Sequence, residues 1–161
     1  MDARFDMLNN EIGGRFAKRF ANAAMVLRDS SLPRPVAELV SVRASQINGC
    51  GWCLDMHTKD AAAAGESAVR LSLVAAWRES TVFTEAERAA LALAEEGTRL
   101  GDAQHGVSDE TWDAARKHFD DDQLAALVCM VALINAANRL GVIVRQKGGS
   151  YEAGMFEAMI G

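Results

Sequence analysis

One ten-residue stretch carries most of the chain's reactive side chains: Asn48-Gly49-Cys50-Gly51-Trp52-Cys53-Leu54-Asp55-Met56-His57. Two of the three cysteines lie three residues apart, and a histidine follows the second by four. The Asn-Gly pair predicts the end of one helix, and the Ala-rich segment 53–64 predicts the next. Residues three and four apart share a helix face, so Cys50, Cys53 and His57 form one stripe. Two thiols and an imidazole in line favour redox chemistry.

The predicted start of that helix also favours reactive thiols. Backbone N–H groups are unpaired in the first turn, and the helix dipole is positive there, so a thiolate is stabilised. The chain has only three cysteines, an odd number that argues against a framework of structural disulfides. In a reducing compartment a close cysteine pair is more often catalytic or metal-binding.

The overall composition is typical of a single globular domain. The chain has 161 residues, of which 50% are hydrophobic and 24% charged, with a formal net charge of −5. We therefore expect one domain spanning 1–161. The acidic balance and the lack of a Lys/Arg cluster argue against nucleic acid or an acidic membrane as partner. The N-terminal segment shows no apolar signal-peptide core, so we expect a cytoplasmic protein.

Hydrophobic periodicity predicts an all-α protein, with no convincing strand pattern. Helices are predicted over residues 5–29 with a break at Gly13-Gly14, and over 36–47, 53–64, 67–77, 84–99, 108–119 and 120–144. Their starts carry capping residues, such as the capping box Thr84-x-x-Glu87. The last helix is strongly apolar, but Asn135, Asn138 and Arg139 interrupt it and would be costly in lipid. We interpret it as a buried helix at the centre of a bundle or at an oligomer interface.

The cysteine pair has several alternative roles. Covalent haem attachment needs a histidine directly after the second cysteine, where this chain has Leu54. A thioredoxin-like fold would need a preceding strand. A structural zinc site needs four ligands, yet Cys129 is alone in an apolar helix and His105 and His118 are isolated from each other. Zinc binding and a pair of inert cysteines remain alternatives to the favoured thiol–disulfide chemistry.

A helical hairpin around Asn48-Gly49 would add an acidic residue to the site. Glu38 lies ten residues before Asn48, and His57 lies eight after Gly49, which leaves a mismatch of about half a turn. By the same count Ser45 lies level with Cys53. Glu38 would orient His57 and raise its basicity, and His57 would deprotonate Cys53. Taken alone, Glu38 would be a first-turn helix acid.

These residues together resemble a known family. Glu38, followed by Ser45-x-x-Asn48-x-Cys50-x-x-Cys53-x-x-x-His57, resembles the alkylhydroperoxidase D-like core of the carboxymuconolactone decarboxylase superfamily. The match covers about 35–77, and the later Asn135…Asn138-Arg139 pattern is also similar. The resemblance implies an all-helical bundle that oligomerises through helices, as a homotrimer or homohexamer. It also implies a peroxidase that cycles through a disulfide without a metal or another cofactor.

The resemblance assigns peroxide reduction to Cys53, resolution to Cys50, and a proton relay to Glu38 and His57. Physical reasoning also favours Cys53 as the nucleophile. The helix dipole would stabilise a thiolate at Cys50 by only about 0.3–1 kcal/mol. A paired imidazole lowers a thiol pKa by several units. Trp52 replaces a second histidine that the best-studied members carry, and the decarboxylase branch generally lacks the cysteine pair.

We therefore expect a thiol-dependent hydroperoxide reductase of antioxidant defence. Its partners would be a small hydroperoxide and a dithiol reductant, such as a lipoyl-bearing or thioredoxin-like protein. The alternative is a redox sensor or assembly protein whose disulfide changes its oligomeric state. Among other residues, Cys129 is expected to be a small core residue. Trp52 and Trp77 are expected to pack in the core, with lining of a peroxide channel as the alternative.

Overall fold

The computed structural model describes residues 2–102 and 106–156, and every regular element in these ranges is helical. Its α-helices are α1 Glu11–Arg28, α2 Arg34–Asn48, α3 Gly51–Ala63, α4 Ala68–Leu73, α5 Glu85–Thr98, α6 Asp109–Arg116 and α7 Asp121–Val144. A 3-10 helix, Val74–Glu79, follows α4 directly. The predicted all-α fold class is confirmed.

The central element of the bundle is α2, which packs against α3, α5 and α7. Every residue of α2 from Val36 to Asn48 is buried or half-buried. Val40 belongs to a core cluster with α5, α6 and α7, whereas Leu39 and Val42 pack against the 3-10 helix and α5. Ala44 packs against both cysteines. Neighbouring elements thus enclose α2, which is a firmly held support for the side chains that it carries.

The starts of four helices, α4 to α7, agree with the predicted capping residues. Thr84 and Glu87 form a capping box at α5, and Asp120 forms a second one at α7. Ser67 and Ser108 accept hydrogen bonds from the third helical amides of α4 and α6. Each cap satisfies amides that have no partner within the helix.

The prediction for the first helix is wrong in two respects. The helix begins at Glu11, under an Asn10 cap, rather than near residue 5, and it runs unbroken through both glycines. The glycines serve close packing instead, because the preceding segment folds back on α1. A Cβ at Gly13 would lie 2.1 Å from the carbonyl oxygen of Met7.

α7 is partly core and partly exposed apolar surface. Leu127 is fully buried, whereas Val142 and Ile143 are 46% and 65% exposed. By length and composition alone α7 is able to cross a membrane. Its asparagines, however, are hydrogen-bonded inside the bundle, with Asn135 Nδ2 2.9 Å from Thr98 Oγ1 of α5.

The prediction that Cys129 is a core residue is also wrong, because its side chain is exposed. Leu127 and Val131 of α7 are both buried. Cys129 lies two residues from each, which is about 200° of rotation around a helix of 3.6 residues per turn. It therefore lies on the opposite face of α7 and is distant from the other two cysteines in register.

A buried carboxylate ties α5 to two neighbouring elements. Glu95 accepts hydrogen bonds from Arg43 Nε of α2 at 2.6 Å, from Trp77 Nε1 at 3.0 Å, and from Arg78. Burial raises the pKa of Glu95, but the hydrogen bonds from Arg78, Trp77 and Arg43 outweigh it and hold this pKa below its ordinary value. The carboxylate is therefore charged at neutral pH.

Replacing Glu95 by alanine would leave the half-buried Arg43 without its anion, so we expect a loss of about 3–5 kcal/mol in the free energy of unfolding. Urea unfolding measures it. Because the folded pKa is depressed, the carboxylate's contribution is complete above the unfolded value of about 4.3 and disappears as the pH falls through the folded pKa. The wild type should therefore lose more stability on acidification below about pH 5 than Glu95→Gln does. Equal losses would contradict this assignment.

Candidate active site

The turn between α2 and α3 positions the two cysteines. Gly49 has a φ of 69°, a left-handed conformation that glycine adopts without steric cost. The amides of Gly49 and Cys50 both donate to the carbonyl oxygen of Ser45, which closes α2. Cys50 then serves as the N-cap of α3, and its Sγ accepts from the Cys53 amide at 3.3 Å. The pair thus lies at the first turn of a helix, as the sequence predicts.

Cys50 and Cys53 are joined by a disulfide whose Cα atoms are 5.4 Å apart. Both residues are buried, with 1% and 2% of their surface exposed. Gly141 of α7 packs directly against the bond. A Cβ at Gly141 would lie 2.9 Å from Cys50 Sγ and 3.9 Å from Cys53 Sγ. A residue without a side chain is therefore required where α7 crosses the disulfide.

A network of buried polar side chains holds this turn against α7. Asn48 Nδ2 donates to Oδ1 of both Asn135 and Asn138, each at 2.9 Å. The fully buried Asn138 donates in turn to Ser45 Oγ at 2.9 Å. Arg139 donates to both the backbone and side-chain oxygens of Asn135. The polar interruptions of α7 therefore satisfy one another and the end of α2, and Ser45 belongs to this network.

The hairpin of α2 and α3 brings Glu38 and His57 together. His57 Nδ1 lies 2.9 Å from Glu38 Oε2, and the two side chains are 17% and 16% exposed. The other carboxylate oxygen of Glu38 lies 3.9 Å from Arg34 Nε. A carboxylate at Nδ1 favours the tautomer with its proton on that nitrogen, which leaves Nε2 as the basic atom. His57 lies one turn beyond Cys53 on α3.

Cys53, His57 and Glu38 line one cavity of about 300 Å³ between α1, α2, α3 and α7. Its wall is mostly apolar, with Phe16 and Phe20 contributed by α1. The cavity is large enough for a small organic molecule, and its acid–base groups lie together with one of the two sulfur atoms.

The two tryptophans in question have different positions. Trp52 lines the cavity, and its ring meets Tyr151 edge-on with centroids 5.8 Å apart. Packing and channel lining therefore both describe Trp52. Trp77 packs between α2 and α5 with its Nε1 on Glu95, and it does not line this cavity. The alternative that Trp77 lines a channel to the cysteines is wrong.

The segment after α7 contributes contacts that sequence reasoning missed. Asp55 Oδ2 accepts from the amides of Gly149 and Tyr151, and Asp60 accepts from the Tyr151 hydroxyl. Hydrogen bonds from Lys59 and from these amides hold the pKa of Asp55 below its ordinary value. The tail is thereby fastened along α3. No sequence pattern indicated this pairing, because its partners lie more than ninety residues apart.

The structure describes one of the two remaining histidines. His118 follows α6, and His105 lies outside the described residues. Within residues 2–102 and 106–156, no three His, Cys, Asp or Glu side chains converge on a metal-binding arrangement.

Comparison with known proteins identifies the chain's family. Residues 14–96 match the carboxymuconolactone decarboxylase family. An uncharacterised Bacillus subtilis (strain 168) protein, YdfG, is 37% identical over 123 residues, which is 76% of this chain and 82% of that protein. The chain therefore belongs to the carboxymuconolactone decarboxylase family.

Solved structures show which fold the chain shares. A protein of unknown function from Agrobacterium tumefaciens, suggested to be the antioxidant defence protein AhpD, superposes with a TM-score of 0.86 at 29% identity, covering 93% of this chain and all of that one. The debrominase Bmp8 superposes with a TM-score of 0.75 at 16% identity, covering 85% and 72%, and shows the shared fold alone. The chain thus has the AhpD-like fold, and its close cysteine pair fits an antioxidant role.

The contact between Gly141 and the disulfide can be tested with a single methyl group. Gly141→Ala would force the new carbon against Cys50 Sγ, and we expect the oxidised protein to lose about 1–3 kcal/mol of stability. Thermal unfolding measures the loss. Gly101→Ala is the control, since a Cβ there would meet nothing within 4 Å. Similar effects of the two substitutions would contradict the proposed close packing.

Proposed function

We propose that the protein is a thiol-dependent reductase of organic hydroperoxides. One observation carries the proposal: the Cys50–Cys53 disulfide borders an apolar cavity in which His57 and Glu38 form a hydrogen-bonded pair. Family membership and the AhpD-like fold support it further. The apolar wall favours a peroxide with an alkyl or aromatic group over hydrogen peroxide.

In the first step the Cys53 thiolate attacks the terminal peroxide oxygen. The O–O bond breaks, the alkoxide takes a proton and leaves as an alcohol, and Cys53 becomes a sulfenic acid. The Cys50 thiolate then attacks Cys53 Sγ and forms the S–S bond. The S–O bond of the sulfenic acid breaks, and its hydroxyl group takes a proton and leaves as water. The disulfide that forms is the state described above. A dithiol reductant, such as a lipoyl-bearing or thioredoxin-like protein, would restore both thiols.

His57 and Glu38 would supply the proton transfers. Glu38 accepts from Nδ1 and holds the imidazole in place, so Nε2 is available to take the proton of the Cys53 thiol. The same nitrogen then returns a proton to the departing alkoxide. Cys53 rather than Cys50 is the nucleophile, because Cys53 shares the cavity with this pair and Cys50 does not line it.

The division of roles between the cysteines is tested on the reduced protein. Cys53→Ser should abolish the reaction with cumene hydroperoxide, whereas Cys50→Ser should accumulate a sulfenic acid on Cys53 that dimedone traps. Mass spectrometry locates the adduct. Cys129→Ser is the matched control and should turn over like the wild type with a dithiol present. A sulfenic acid on Cys50 at the wild-type rate in Cys53→Ser would reverse the assignment.

The same assay tests the acid–base pair. His57→Ala should slow the first oxidation about 10²-fold or more, because general-base catalysis contributes that much. Its rate should then rise with pH towards about 8.5, where an unassisted thiol ionises. Glu38→Gln keeps a polar partner for the imidazole and should cause a smaller loss. Oxidation that stops after one equivalent of peroxide in the wild type, despite excess dithiol, would favour the redox sensor instead.

We also propose that the protein is a homotrimer or homohexamer assembled through α7. Val128 and Ile143 are 44% and 65% exposed on this helix, and burial of such apolar side chains against a second copy would remove them from water. Light scattering should give a multiple of the 17.3 kDa chain mass. Ile143→Glu should dissociate the assembly, whereas Val69→Glu on α4, at a similarly exposed position, should not. A monomeric wild type would refute the proposal.

A further inference from the structure

We propose that the reducing thiol attacks the disulfide at Cys50, through a second cavity adjacent to the peroxide cavity, and that this cavity favours thiols carrying a negative charge. The inference rests on the proposed function, since it concerns the reductive half of that cycle. It assigns a separate entrance and a separate sulfur atom to each substrate.

The two cysteines of the disulfide line different cavities. Cys53 lines the apolar cavity with His57 and Glu38. Cys50 lines a second cavity of about 260 Å³ at the junction of the α2–α3 turn and the end of α7, whose wall includes none of those three residues. A nucleophile in this second space therefore meets Cys50 first.

Residues without side chains lie beside Cys50 in the second cavity. Cys50 is 1% exposed, but the wall of the second cavity beside it is formed by Gly49, Gly51 and Gly141. None of them has a side chain to cover Cys50 Sγ. At Gly141 a single added carbon would lie 2.9 Å from that sulfur.

The charge of the second cavity also differs from that of the first. Arg145 and Lys147 line it, and no acidic residue does. Lys147 pairs with the exposed Asp2 at 3.1 Å, whereas no carboxylate of the described chain lies within 4.0 Å of the Arg145 guanidinium. Arg145 also has a left-handed backbone, with a φ of 57° at the end of α7. Glycine is the usual residue at such a position, so the arginine is kept there at a steric cost.

The chemistry assigned to this cavity is ordinary thiol–disulfide exchange. The incoming thiolate bonds to Cys50 Sγ, the Cys50–Cys53 bond breaks, and Cys53 leaves as a thiolate that His57 protonates. A second thiolate then attacks the sulfur of the bound thiol, which leaves Cys50 reduced and the reductant oxidised to its disulfide. The leaving sulfur is thus the one that must next meet a peroxide.

The site of attack can be located without any peroxide. The oxidised protein, in a Cys129→Ser background, is mixed with a single-thiol reductant, quenched in acid within milliseconds and alkylated with N-ethylmaleimide. Tandem mass spectrometry should find the reductant on Cys50 and the maleimide on Cys53. The reverse distribution would overturn the inference.

The charge preference is tested with three thiols of similar size at equal thiolate concentration: 2-mercaptoethanesulfonate, 2-mercaptoethanol and cysteamine. At low ionic strength we expect the sulfonate to react roughly threefold to tenfold faster than cysteamine, and added salt should reduce the ratio. Arg145→Asn removes the charge yet tolerates the left-handed backbone, and it should lower the ratio at least twofold. Arg116→Asn, on α6, is the control and should leave the ratio unchanged.

Equal rates for the three thiols, or a ratio that Arg145→Asn leaves unchanged, would overturn the charge preference. These measurements involve no peroxide, so their failure is distinct from failure of the proposed function. A protein that exchanges at Cys50 with the expected preference but consumes no hydroperoxide would leave the second cavity assigned and remove the peroxidase activity.

Discussion

The hydrogen bonds from Asn48 to Asn135 and Asn138 are the constraint on which the site depends. They hold the last residue of α2 against the middle of α7, two residues before Cys50. A buried hydrogen bond contributes only about 0.5–1.5 kcal/mol, but a buried amide left without a partner costs about 1–3 kcal/mol. Any other register of α2 against α7 would leave these amides without partners, and its cost in free energy is therefore larger than the gain from the hydrogen bonds in this register. The network specifies where the cysteines lie as well as stabilising the fold.

The position of α2 then determines the rest of the chemistry. Its buried faces hold Glu38 opposite α3, and its end holds the turn that begins α3. The carboxylate, the imidazole and the disulfide thus belong to one rigid hairpin, supported by α7 on one side and by the tail on α3. A site on packed helices keeps its geometry better than one on loops. Such rigidity suits the proposed cycle, in which two sulfur atoms repeatedly make and break one bond.

The surroundings of the disulfide differ on its two sides. On the side of Cys53 lie apolar side chains and an acid–base pair, and on the side of Cys50 lie glycine backbone and cationic residues. An apolar wall strengthens electrostatic interactions between the groups inside it. Cationic residues near an open approach act instead on the arrival of a charged partner. This asymmetry supports the proposed exchange of electrons with two chemically different partners.

Local and near-local features of the site could be read from the sequence. Helix capping, the Asn-Gly turn and the spacing of Cys50, Cys53 and His57 depend on neighbours a few residues away, and counting residues from the turn brought Glu38 level with His57. Tertiary structure decided the other features: the hydrogen-bond network of Ser45, the exposure of Cys129, the contact of Gly141 with the disulfide, and the second cavity. Each depends on the rotation of α7, or on the path of the tail, relative to α2 and α3. A helical pattern repeats every 3.6 residues whichever neighbour it meets, so only the packed bundle selects which face of α7 meets the cysteines.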